Sequence, residues 1–93
     1  MRAAIIRAYG GPEAIEVAEL PDPEPGPGEL LVNVTAAGVN FVDVYNRTGA
    51  YPGELPLRLG TEAAGTVAAV GEGVVGVDAG DRVAWAMLPG AYA

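Results

Sequence analysis

Leu30-Leu-Val-Asn-Val-Thr-Ala-Ala-Gly-Val-Asn40-Phe-Val-Asp-Val-Tyr-Asn-Arg-Thr-Gly49 changes its hydrophobic period partway along, and that change decides the fold. From Leu30 to Val39 the residues alternate. Leu30, Val32, Val34 and Ala36 share one face, with Asn33 and Thr35 on the other. Successive side chains of a strand point to opposite faces, so this pattern predicts a strand with one covered side. Gly38 predicts a bulge or a close backbone approach near its end. Beyond Val39 the spacing turns helical, with Phe41, Val44 and Tyr45 at i, i+3 and i+4. Asn40 suits the N-cap, and Asp43 stands where a carboxylate answers both the cap and the helix dipole. Gly49 is placed to close the helix in the left-handed conformation. A helix of at most about three turns has little stability of its own, so packing must hold it.

Outward from this junction the chain reads as strands and turns. Arg2 to Ala8 carries Ile5 and Ile6 and ends at Gly10-Gly11-Pro12. Ile15 to Leu20 alternates imperfectly. Pro21 to Gly28 then holds four prolines and two glycines, an extended surface connector that denies ladder hydrogen bonds. Thr61 to Val70 and Asp81 to Ala86 are further strands, the latter anchored by Trp85. Short strands between Gly/Pro turns, with one short helix, predict an all-β fold, barrel or sandwich, rather than βαβ units.

Gly71-Glu-Gly-Val-Val-Gly76 matches the dinucleotide-binding pattern G-x-G-x-x-G and follows a strand. That pattern works only when a helix opens at the glycines and presents its N-terminus to a pyrophosphate. Here Val77-Asp-Ala-Gly-Asp81 follows, a turn sequence, and then another strand. A glycine-rich hairpin is the better reading.

Composition excludes several classes of function. Twelve acidic residues face five arginines, with no lysine or histidine, for a net charge of −7. Such a surface repels phosphate backbones and anionic lipid, which argues against nucleic-acid or membrane binding. No stretch is apolar for long enough to span a bilayer, and Arg7 interrupts any signal-peptide core. The expected location is cytoplasmic. Absence of cysteine fits a reducing compartment and removes any thiolate zinc site. Although 51% of residues are apolar, 17 are alanine, so the core is thin for its composition. A chain of 93 residues makes at most one domain.

Several segments together resemble a known family. Ala36-Ala-Gly-Val-Asn-Phe-Val-Asp-Val-Tyr-Asn-Arg-Thr-Gly-Ala-Tyr-Pro52, Leu59-Gly-Thr-Glu-Ala-Ala-Gly65, the run from Val70 through Gly80-Asp-Arg-Val83, and Gly10-Gly-Pro-Glu13 are similar in order and spacing to the quinone oxidoreductase (zeta-crystallin-like) branch of the medium-chain dehydrogenase/reductase superfamily. The resemblance implies a GroES-like, partly open irregular barrel with one short helix, and residues 1–93 as the N-terminal part of that catalytic domain. A Rossmann domain of roughly 100–150 further residues would lie outside this chain. The zinc enzymes of the superfamily carry a cysteine near Asn40 and Gly-His-Glu where Gly60-Thr61-Glu62 stands here. Asn40 and Thr61 supply neither thiolate nor imidazole, so the expectation is no catalytic zinc.

The resemblance further implies hydride transfer from NADPH to a quinone or other conjugated carbonyl, in a parent enzyme that is a homodimer. Asn40, Phe41, Asp43 and Tyr45 match the family's nicotinamide-contacting stretch. Tyr51 matches a pocket tyrosine able to donate to a developing oxyanion, with Asn40 beside the reacting end. Each has a structural alternative: Asn40 as N-cap alone, Asp43 as a helix-dipole partner, Tyr45 as core, Tyr51 as a rim residue. Two other functions stay open, an NADPH-dependent enone or enoyl reductase of the same superfamily and a non-catalytic GroES-like binding module. The Pro-rich loop is not the apolar mobile loop that a co-chaperonin ring needs.

Overall fold

The computed structural model describes residues 1–93 and holds six strands and one helix. In chain order they are β1 (Arg2–Ile6), β2 (Glu16–Glu19), β3 (Leu30–Ala37), α1 (Phe41–Thr48), β4 (Leu57–Arg58), β5 (Glu62–Val70) and β6 (Arg82–Ala86). β1 stops at Ile6, short of the expected Ala8, and a single 3-10 turn, Pro12–Ala14, follows Gly10-Gly11. The strands form two antiparallel three-stranded sheets, ordered β2-β1-β4 and β3-β5-β6. Both stay open and no closed barrel forms, so the fold is mostly β with one short helix.

Each sheet is built around its most buried strand. Ala3, Ile5 and Ile6 of β1 are buried between β2 and β4, because a central strand has neighbours on both edges. β5 buries Ala63, Gly65 and Val67 at every second position, the period expected of a strand covered on one face. Leu59 and Ala91 complete the core, in which Ile5, Ile6 and Val67 are the largest fully buried side chains. β4 leaves no mark in the hydrophobic pattern because it is so short. Two residues just after Pro56 cannot show a period, yet they pair Leu57 with Ile6 and Arg58 with Ile5.

β3 and β5 pair with two irregularities. Ala68 is the extra residue on β5, between the Leu31–Ala69 and Val32–Val67 pairs. Thr35 is the extra residue on β3, between Val34–Gly65 and Ala36–Ala64, and its hydroxyl donates to the Ala64 carbonyl at 3.2 Å. The alternation of Leu30, Val32 and Val34 against exposed Asn33 and Thr35 holds up to this bulge and stops there, so Ala36 is exposed. The predicted irregularity thus falls at Thr35. At Gly38 there is a close approach instead: a Cβ there would lie within clashing distance of the Glu62 carboxylate.

The glycine pattern at residues 71–76 is a hairpin connection. No helix opens at it, and β6 follows. Gly71 lies against the Gly26 carbonyl, with no room for a Cβ, and its N–H donates to Glu29 O at 2.7 Å. Gly73 and Gly76 adopt φ of 81° and 83° in open turns, where glycine carries no steric penalty. Asp81 closes the turn by accepting the Asp78 N–H at 3.0 Å. No helix of the structure is long and apolar enough to cross a membrane.

Candidate functional site

The end of β3 delivers the chain into α1, and both ends of this helix follow the sequence expectation. Asn40 is the N-cap, in extended conformation, and forms a capping box with Asp43 whose carboxylate arm accepts the Asn40 N–H at 3.0 Å. Gly49 ends the helix at φ 89°, ψ 6°, the left-handed region that favours glycine. What holds α1 differs from the expectation of apolar packing. None of its residues is buried, and Phe41 is 69% exposed. Phe41 and Tyr45 face outward while Val42 and Val44 are half-buried, and contacts at the two ends fasten the helix.

Two distant tyrosines make those contacts. At the C-terminal end the Tyr9 ring lies under Gly49, where a Cβ would come within 2.9 Å of it. The Tyr9 hydroxyl donates to Gly53 O at 2.9 Å and accepts Gly53 N–H at 3.0 Å, which ties down the loop bearing Tyr51. At the N-terminal end the Tyr92 hydroxyl donates to Asp43 Oδ2 at 2.6 Å and lies 3.1 Å from the Gly38 carbonyl. A phenol has one proton, and the short charge-assisted contact to the carboxylate holds it. Burial first, then the Asp43 hydrogen bond, then the charges of Asp43 and Glu62, push the Tyr92 phenol up to about 12.

The outward face of α1 is an aromatic row. Phe41 and Tyr45 meet edge to face with centroids 5.1 Å apart, and Tyr45 meets Tyr51 at 4.9 Å. Such geometry is favourable for aromatic pairs, yet here it forms a shelf open to the outside, with Tyr51 56% exposed. Phe41, Tyr45 and Tyr51 are therefore brought together, and Tyr45 is no core residue. Asn40 and Asp43 form a separate polar pair on the half-buried side of the same helix.

That polar side is incompletely satisfied. Three buried side-chain polar atoms lack a hydrogen-bond partner: Asn40 Nδ2, Asp43 Oδ1 and Arg47 Nε. Their spacing of three and four residues sets them along one helix face. Buried polar atoms nearly always have partners, so orphans gathered on one short helix mark where an external donor or acceptor fits. The Asn40 amide keeps an unused N–H on this half-buried side, apart from the aromatic shelf. No three Asp or Glu side chains come together in this chain. Neither Tyr9 nor Tyr92 stands out in the sequence. Each lies more than 40 positions from its partner, and nothing local signals either contact.

With this geometry in place the class is defined: the chain belongs to the alcohol dehydrogenase GroES-like domain family, which it matches over residues 26–92. Quinone oxidoreductases of the medium-chain dehydrogenase/reductase superfamily stand among its relatives in both sequence and structure. The quinone oxidoreductase of Pseudomonas aeruginosa is 52% identical over 87 residues, covering 91% of this chain and 27% of that protein. The structure of Escherichia coli quinone oxidoreductase complexed with NADPH superposes with a TM-score of 0.96 at 43% identity, over 100% of this chain and 29% of that one. The 2-haloacrylate reductase of a Burkholderia species is 43% identical over 95 residues, 97% of this chain and 28% of that protein. The chain thus spans between a quarter and a third of the length of these relatives.

Proposed function

We propose that this chain forms one wall of the nicotinamide crevice in an NADPH-dependent quinone oxidoreductase that works without zinc. The observation that carries the reading is the open aromatic shelf of Phe41, Tyr45 and Tyr51 on the helix whose cap, Asn40, holds a buried, unpartnered amide nitrogen. NADPH, when bound, supplies a hydride. Asn40 would offer its free amide N–H to the nicotinamide end, and Asp43 would keep Asn40 in place through its main-chain N–H. Phe41 and Tyr45 would cover the reacting end and shed water from it. Tyr51, held by the loop that Tyr9 fastens, would donate its phenol proton toward a carbonyl oxygen gaining negative charge.

The kinship with a 2-haloacrylate reductase supports a second reading, reduction of a conjugated carbonyl other than a quinone. Both readings carry a homodimeric, cytoplasmic parent protein. Calorimetric titration of the full-length protein with NADPH, followed by steady-state assays against quinones and enones, tests them. The expected outcome is micromolar NADPH binding and quinone turnover that a zinc chelator leaves unchanged. Turnover of enones alone selects the second reading, and absence of any NADPH binding overturns both. The isolated 93 residues, which hold no phosphate-binding glycine turn opening a helix, are expected to bind NADPH more weakly than micromolar.

A further inference from the structure

We infer that Tyr92 is a positioning residue for this site, acting through Asp43 to set the placement of Asn40 and thereby the affinity for the nicotinamide end of the cofactor. The inference rests on the function proposed above and concerns a residue outside the aromatic shelf and the cap.

One carboxylate oxygen joins the two partners. Asp43 Oδ2 accepts the Tyr92 hydroxyl at 2.6 Å and the Asn40 N–H at 3.0 Å. The Asp43 N–H to Asn40 O bond at 3.0 Å supplies the main-chain half of this turn, and the Asp43 carboxylate supplies the other half. The Tyr92 hydroxyl is the side chain seen to hold the carboxylate's rotamer. The same hydroxyl lies 3.1 Å from the Gly38 carbonyl, so the end of β3, the cap and the first turn of α1 converge on it.

Tyr92 itself is anchored to the rigid part of the fold. Its N–H donates to Leu59 O at 3.1 Å, and its carbonyl accepts the N–H of Ala4, in the central strand β1, at 2.9 Å. Its neighbour Ala91 is buried, and Gly60, at φ 87°, leaves the Tyr92 ring room that a Cβ would remove at 2.8 Å. The contact thus runs from the core of one sheet to the cap of a helix that buries none of its own residues. A helix without core packing is placed by its end contacts, and at its N-terminal end this is the charge-assisted one.

A structural role and a positioning role predict different kinetics. Loss of stability alone lowers the amount of folded protein and leaves the cofactor affinity of the remainder intact. Displacement of Asn40 weakens NADPH binding in fully folded protein. In the full-length protein, Tyr92→Phe is expected to raise the NADPH dissociation constant, read by nicotinamide fluorescence, about tenfold, the effect of one lost charged hydrogen bond. The rate at saturating NADPH is expected to fall less than about threefold. Asp43→Asn is expected to act in the same direction, and the double variant no more than either single one, because both changes break one connection.

The inference is overturned if Tyr92→Phe leaves the dissociation constant within about twofold of wild type, or if the two effects simply add. A variant that loses turnover only in proportion to its folded fraction, measured by the thermal midpoint without cofactor, overturns it as well. Should Tyr92→Phe fail to fold, Asp43→Asn alone decides, and an unchanged NADPH affinity there counts against it. A wild-type protein that binds no NADPH refutes the proposed function itself, an outcome distinct from the others that removes this inference with it.

Discussion

The Tyr92 phenol keeps its proton further into alkali than a free tyrosine does, and this makes a single residue readable in bulk stability. Its folded-state value is about 12, against 10.0 for the ordinary side chain. The folded state therefore binds the proton more tightly than the unfolded chain. The stability this group contributes is complete below pH 10 and is lost as the pH rises through about 12. Urea midpoints of wild type and Tyr92→Phe, measured from pH 9 upward (roughly one unit below the phenol's ordinary value), are expected to converge over that window. Parallel curves would show that neither burial nor the Asp43 contact favours the neutral phenol in solution.

At the scale of elements, the glycines separate positions that need an absent side chain from positions that need only backbone freedom. At Gly65 a Cβ would clash with the Asn33 carbonyl of the paired strand, a main-chain atom that cannot step aside. Gly76, at φ 83°, has nothing within 4 Å. Gly65→Ala is expected to cost at least the ~3 kcal/mol at the upper end of overpacking, and Gly76→Ala only about 1–2 kcal/mol for the left-handed backbone. Chemical denaturation of the two variants checks the ranking, and equal losses would contradict the close pairing of β3 with β5. The same contrast between local and distant causes explains which features the sequence discloses. Asn40, Asp43 and Gly49 act within one turn of chain, so residue type and spacing announce both helix ends. The turn residues after Gly71 to Gly76 suffice to reject a cofactor motif there. The bulge at Thr35 is not legible, since it depends on which residue of β5 stands opposite. Nor is the outward face of Phe41 and Tyr45, because periodicity locates an apolar stripe without saying what covers it. Leu57–Arg58 gains its strand conformation only from β1.

The whole molecule rests on a small interior. Only nine of 93 residues are buried, so each large core side chain carries a substantial share of the total. Ile6→Ala is expected to cost about 2–5 kcal/mol. Domains are stable by roughly 5–15 kcal/mol in all, so this variant of the isolated chain forfeits a large share of that and should unfold at a markedly lower urea concentration. Circular dichroism with urea titration measures it, and a loss below about 1 kcal/mol would mean that the site collapses to fill the space. Thin burial also leaves apolar surface open. An apolar groove of about 470 Å³ runs past Leu30, Val34, Trp85 and Leu88. Strand spacing announces a β fold and the family resemblance supplies its GroES-like frame, whereas this sparse interior follows from alanine content only in outline.

The bond between Tyr92 and Asp43 joins residues 49 positions apart. A ribosome adding about 5–20 residues per second needs roughly 2–10 seconds to travel that distance. During synthesis, the cap of α1 therefore emerges well before the phenol that steadies it. The sheets and the aromatic turn can begin to form on the nascent chain, but the helix cap is complete only once the segment around residue 92 has left the exit tunnel.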